Sequence, residues 1–76
     1  MKHKEIILGK DYKLVSAKYS NPAEASDCFN KLIGTKVQVL EKYSNIHNKN
    51  TIRIEAITED SIIEMWCSPY DLGGLD

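Results

Sequence analysis

Asn21 to Gly34, NPAEASDCFNKLIG, reads as a helix with both ends marked, inside a 76-residue chain that otherwise alternates like a sheet. Asn21 offers a side-chain oxygen to the first turn, Pro22 suits the first helical position, and Glu24 stands where a capping-box acid reaches back. Ala25, Cys28, Phe29, Leu32 and Ile33 gather into one apolar stripe, while Glu24, Asp27, Asn30 and Lys31 point elsewhere. Gly34 suits the left-handed residue that closes a helix. The spacing therefore predicts one amphipathic helix, about 22–33, covering a sheet face.

Working outward, Glu5 to Leu8 is expected as a short first strand closed by Gly9, and Tyr12 to Tyr19 as a second with Leu14 and Val15 on opposite faces. After the helix, Thr35 to Tyr43 alternates, with Val37 and Val39 against Lys36 and Gln38. Tyr43 to Asn50, YSNIHNKN, is dense in residues that favour local side-chain hydrogen bonds and is expected as a loop. Thr51 to Ile57 carries the cleanest alternation, with Ile52, Ile54 and Ala56 opposite Thr51, Arg53 and Glu55. The polar turn Thr58-Glu59-Asp60-Ser61 joins it to Ile62–Cys67, which predicts an antiparallel hairpin. Ser68-Pro69-Tyr70-Asp71 breaks the last strand, and the residues beyond Gly73-Gly74 are expected as a tail or docking turn.

This order predicts an α+β fold: a small antiparallel sheet, or an SH3-like partly open barrel, of four to five strands with one packed helix. The chain reads as a single domain, 1–76, with 1–4 and 73–76 expected to be flexible. From Ile33 to Leu72, IGTKVQVL, a polar loop, the TIRIEAI and IIEMWC hairpin and then SPYDL resemble the order of small SH3-like barrel modules. SH3 domains that read proline-rich peptides carry an ALYDY-like segment near their start. Nothing in this sequence matches it, so the resemblance implies a fold and no ligand.

Composition narrows the classes of function. At 42% hydrophobic and 28% charged residues the chain is ordinary for a soluble globular domain, but its core is small and leaves little room for a deep enclosed site. Residues 1–50 hold nine lysines against five acids, a net of +4; residues 51–76 hold Arg53 against six acids, a net of −5. Folding can turn that asymmetry into an electrically polarised molecule. The apolar run at Ile6, Ile7 and Leu8 is too short for a signal peptide or a membrane span, so a cytoplasmic setting with Cys28 and Cys67 reduced is expected.

No catalytic set is legible. His3 and His47 fall in polar segments, none of the serines sits in a nucleophile-elbow context, and the chain is expected not to be an enzyme. Cys28, Cys67, His3 and His47 lack the close spacing of zinc ligands, so no metal and no cofactor is expected. Two features point to a protein partner. With Ile63, Met65 and Cys67 turned to the core, Ile62, Glu64 and Trp66 lie on the opposite face, which is expected either to be covered, by the helix, the N-terminal strand or a second copy, or to offer Trp66 as an interface anchor. The loop residues Tyr43, Ile46 and His47 form the other candidate surface.

The leading expectation is thus a small non-enzymatic module acting through protein–protein interaction, with a homodimer as one way of covering the Trp66 face. Short chains rich in lysine and asparagine resemble accessory proteins of phages and other mobile elements, some of which inhibit host enzymes. One alternative is a nucleic-acid-binding barrel using Tyr12, Lys13, Lys18, Tyr19, Lys36 and Lys42, since lysines beside tyrosines suit phosphates and stacked bases. A second alternative is a small-ligand binder using the 43–50 loop.

Overall fold

The computed structural model describes residues 1–20, 26–44 and 50–75, without the side chains of Ser26 and Cys28. Its frame is a five-stranded antiparallel sheet made of β1 (Asp11–Leu14), β2 (Lys36–Lys42), β3 (Ile52–Ile57), β4 (Ile62–Cys67) and β5 (Leu72–Gly73). They stand in the order β4-β3-β2-β1-β5. A short helix, α1 (Ser26–Leu32), lies in sequence between β1 and β2.

Alternation explains the layering. Tyr12 and Leu14 of β1, Val37 and Val39 of β2, Ile52, Ile54 and Ala56 of β3, Cys67 of β4 and Leu72 of β5 all lie in the core. Ile6, Phe29 and Leu32 join them from outside the sheet, and Ile63 and Met65 pack half-buried against the cluster. Burying these side chains on one face supplies the main driving force for so small a domain.

The β3–β4 hairpin has the expected register, Ile57 opposite Ile62 through to Ile52 opposite Cys67. Thr58 closes its turn: the Thr58 N–H donates to the Ser61 carbonyl at 2.8 Å, and the Thr58 hydroxyl accepts from the Ser61 N–H at 3.1 Å.

Three local expectations need correction. Glu5 to Leu8 is not a strand: His3–Glu5 forms a 3-10 turn, and the chain turns again where Lys10 N–H donates to the Ile7 carbonyl at 3.2 Å. Ile6 alone of that run is buried; Ile7 and Leu8 are exposed, so the run never alternates against a neighbour. The strand expected over Tyr12 to Tyr19 stops at Leu14, because the following residues leave the ladder to bind Asp71. No strand is expected after the break at Ser68 to Asp71, yet Leu72–Gly73 pairs with Leu14 and Lys13 as a fifth strand.

For the expected helix, Asn21, Pro22, Glu24 and Ala25 lie outside the described residues, as does the Cys28 side chain. Phe29 and Leu32 are core residues, but Ile33 is 38% exposed and leaves the stripe. The reason is a tightened last turn, in which Ile33 N–H donates to the Asn30 carbonyl at 3.3 Å. Gly34 follows with φ +91°, the left-handed conformation its position requires.

Candidate functional site

The second face of the sheet carries a composed cluster, and a β-bulge builds it. Strict alternation from Val37 and Val39 would point Glu41 and Tyr43 into the core. Instead the β2–β3 register shifts between Val39, opposite Ile54, and Glu41, opposite Arg53. The extra residue turns Glu41 and Tyr43 to the outer face, a re-aiming typical of bulges. It also turns Lys42 inward, where its ammonium donates to the Ile6 carbonyl at 2.7 Å.

Arg53 is the centre of the cluster. Its guanidinium forms ion pairs with Glu41 on β2, at 2.8 Å, and with Glu64 on β4. The Tyr43 hydroxyl donates to the other Glu41 oxygen at 2.7 Å. The Tyr43 ring lies against Trp66, with centroids 5.4 Å apart and planes inclined by 32°. Trp66 in turn sits directly across from Arg53 on the hairpin. The contacts thus run from one side chain to the next across three strands, and the aromatic pair is already in contact before any partner arrives.

These bonds perturb the titrating groups in the directions expected of charge-assisted contacts. The hydrogen bond from Tyr43, followed by that from Arg53, holds the Glu41 carboxyl below its ordinary value. The same bond to Glu41 raises the Tyr43 phenol. Arg53 is pushed further up, first by Glu64 and then by Glu41, which leaves it charged throughout the usable range.

The face is acidic and partly apolar. Glu55 stands directly opposite Glu64 and also opposite Gln38, so three carboxylates, Glu41, Glu55 and Glu64, surround Arg53 on β2, β3 and β4, with Lys13 and Lys36 further along the same side of the sheet. Like charges directly across a ladder are unfavourable, and the ion pairs of Arg53 offset part of that cost. At the hairpin end Ile57 and Ile62 face each other, 77% and 62% exposed, while Tyr43 and Trp66 are 54% and 40% exposed at the other. The acidic middle is flanked by apolar side chains on both sides.

The structure therefore brings Tyr43, Glu64 and Trp66 into one cluster, with Ile62 further along the same strand face. Ile46 and His47 lie outside the described residues. The lysine and tyrosine set does not share a surface. Tyr12 is 1% exposed, and its hydroxyl accepts from the Ile7 N–H at 2.9 Å and donates to the Glu5 carbonyl, so its ring cannot stack on a base. Lys13 and Lys36 face each other on the outer side of β1 and β2, with Lys36 3.9 Å from Asp11. Lys18 and Tyr19 belong to the segment after β1, where the Tyr19 ring lies 5.7 Å from that of Tyr70.

Sequence reasoning missed Asp71, a fully buried carboxylate that ties the chain together. Its oxygens accept from the Ser16 hydroxyl, the Tyr19 N–H at 3.1 Å, the Ser20 N–H at 2.5 Å and the Ser20 hydroxyl at 2.6 Å. Burial pushes its carboxyl up, but the bonds from Ser16, Ser20 and Tyr19 outweigh this and hold it below its ordinary value. Cys67, beside it in the core, is raised to about 12 by burial and by the Asp71 charge, so it behaves as a small apolar residue with no thiolate chemistry near neutrality.

Among the described residues no group of three or more His, Cys, Asp or Glu side chains could hold a metal ion. No described helix is long and apolar enough to cross a membrane. No protein-family model, curated protein or solved structure matches the chain.

Proposed function

We propose that this chain is a small protein-binding module that engages its partner through the outer face of β2, β3 and β4, with Trp66 as the anchor. One observation carries the reading. Trp66 and Tyr43 are packed on each other, and Tyr43 is bonded through Glu41 to Arg53 and Glu64, yet both rings stay exposed on a face the core does not use. Tryptophan, tyrosine and arginine dominate binding energy where they meet at the centre of a contact. A pair of rings already in contact also has less conformational freedom to lose when covered.

The test is affinity capture from cells of the source organism, comparing the wild-type chain with Trp66→Ala. A partner retained by the first and lost by the second, with both proteins equally folded by circular dichroism, supports the proposal. Partners retained equally by both overturn it.

A further inference from the structure

The hydrogen-bonding pattern of the hairpin shows which backbone groups of β4 are left over. Thr58 N–H bonds the Ser61 carbonyl, so the Thr58–Ser61 pair is of the hydrogen-bonded type. In an antiparallel ladder such pairs alternate with non-bonded ones. With the observed register, Ile63, Met65 and Cys67 bond to Ala56, Ile54 and Ile52, while Ile62, Glu64 and Trp66 turn their N–H and C=O groups away from β3. The other side of β3 agrees: Tyr43 N–H donates to the Thr51 carbonyl at 2.9 Å, which directs Thr51, Arg53 and Glu55 toward β2 and leaves Ile52, Ile54 and Ala56 for β4.

β4 stands at the end of the sheet order, and among the described residues its only ladder partner is β3. Ile62, Glu64 and Trp66 thus present both an open backbone edge and the side chains of the outer face. A strand added there would place alternate side chains beside Ile62, Glu64 and Trp66 in turn, on the same surface as Tyr43 and Arg53.

We infer that β4 receives an extended segment of the partner by strand addition, and that this segment carries a lysine or arginine opposite Glu64 with apolar residues two positions to either side. The inference rests on the proposed use of the Trp66 face and names the partner's chemistry. Charge selects the basic residue, because around Glu64 the carboxylates Glu41, Glu55 and Glu64 outnumber Arg53, while Lys13 and Lys36 lie toward β1 on the far side of β2. Charge also disfavours a second copy of the chain. The symmetric antiparallel register that bonds all three open residues would set Glu64 against its own counterpart. Ile62 at one end and Trp66 with Tyr43 at the other supply the flanking apolar contacts.

The experiment is selection from a displayed library of random peptides about twelve residues long, followed by fluorescence polarisation with the selected peptides. The expected winners share an apolar-x-basic-x-apolar pattern. Glu64→Pro, which removes an N–H that β3 does not use, should weaken them by about tenfold or more. Glu64→Gln, which keeps the N–H, should cost about two- to fivefold, less at high salt. N-methylation of the peptide's own amides should be harmful at alternate positions only, which repeats the test without altering the protein.

Binders lost with Trp66→Ala but indifferent to Glu64→Pro and to N-methylation would overturn strand addition while leaving the Trp66 face as the site. Binders indifferent to all three changes would overturn both. An empty selection, or winners without a basic residue, would overturn the inferred partner. So would a dimer of the free chain in sedimentation that Glu64→Pro dissolves, because a second copy would then own the edge.

Discussion

Replacing Asp71 by alanine should remove a large share of the protein's stability, and its contacts say how much. The substitution strands the N–H groups of Tyr19 and Ser20 and removes an acceptor from the hydroxyls of Ser16 and Ser20. A buried donor left without a partner costs about 1–3 kcal/mol. The Ser20 hydroxyl still accepts from the Ser68 N–H at 2.9 Å and the Ser16 hydroxyl can turn to water, so we count chiefly the two backbone groups and expect a loss of about 3–4 kcal/mol. A domain of this size is stable by about 4–11 kcal/mol, so the loss is a large share of the whole. Asp71→Asn keeps the shape but sets an amide N–H against backbone donors, and should cost about 2 kcal/mol. Urea denaturation followed by the fluorescence of Trp66 reads both values. The pH dependence supplies an independent check. Because the folded Asp71 carboxyl lies below its unfolded value, its stabilisation is complete above about pH 4 and disappears as pH falls through the folded value. Asp71→Asn should therefore flatten the acid limb of the stability profile. A loss below about 0.5 kcal/mol in Asp71→Ala, the range of ordinary surface substitutions, or an acid limb unchanged in Asp71→Asn, would refute the assignment of Asp71 as the tie between its own turn and residues 16–20.

Other outcomes follow from single contacts. Tyr43→Phe should let the Glu41 carboxyl rise toward its ordinary value, read by carbon-detected NMR titration, while leaving stability close to that of the wild type, since the bond is exposed to solvent. Cys67 should resist an aromatic disulfide reagent at pH 8 in the native protein and react promptly in urea, since its thiol is buried and raised to about 12. Gly34→Ala should lower stability by about 1 kcal/mol in the same urea assay: the added Cβ meets open space, so strain at φ +91° is the whole cost.

The parts of the fold that were legible in the sequence are those set by local rules. Ile52, Ile54 and Ala56 alternate with Arg53 and Glu55, and the Thr58–Ser61 turn holds the register, so the hairpin followed from period and turn chemistry alone. Gly34 followed from the backbone conformation that its position demands. Trp66 and Glu64 were assigned to the outer face by the same alternation. The bulge after Val39 was missed, although its trace is in the sequence: alternation from Val37 and Val39 breaks at Leu40-Glu41, which sets an acid at an inward position. Glu41 and Arg53 therefore went unrecognised as partners of Tyr43 and Trp66. Asp71 was hidden for another reason. Its partners lie 51 to 55 positions away, and a proline-containing turn around an acid reads as a surface connector until the fold encloses it. Tyr12 shows the converse, a residue whose hydroxyl suggests exposure but finds its partners in the neighbouring turn.

The central claim, that the outer face around Trp66 meets the partner, is tested most directly by nitrogen-15 NMR of the labelled chain titrated with the captured protein or a selected peptide. The largest shifts should fall on the Trp66 indole and on the amides of Ile62, Glu64, Trp66 and Tyr43, with Ile63 and Met65 moving less. Shifts centred on Lys13, Lys18, Tyr19 and Lys36, with the Trp66 indole unmoved, would contradict the claim.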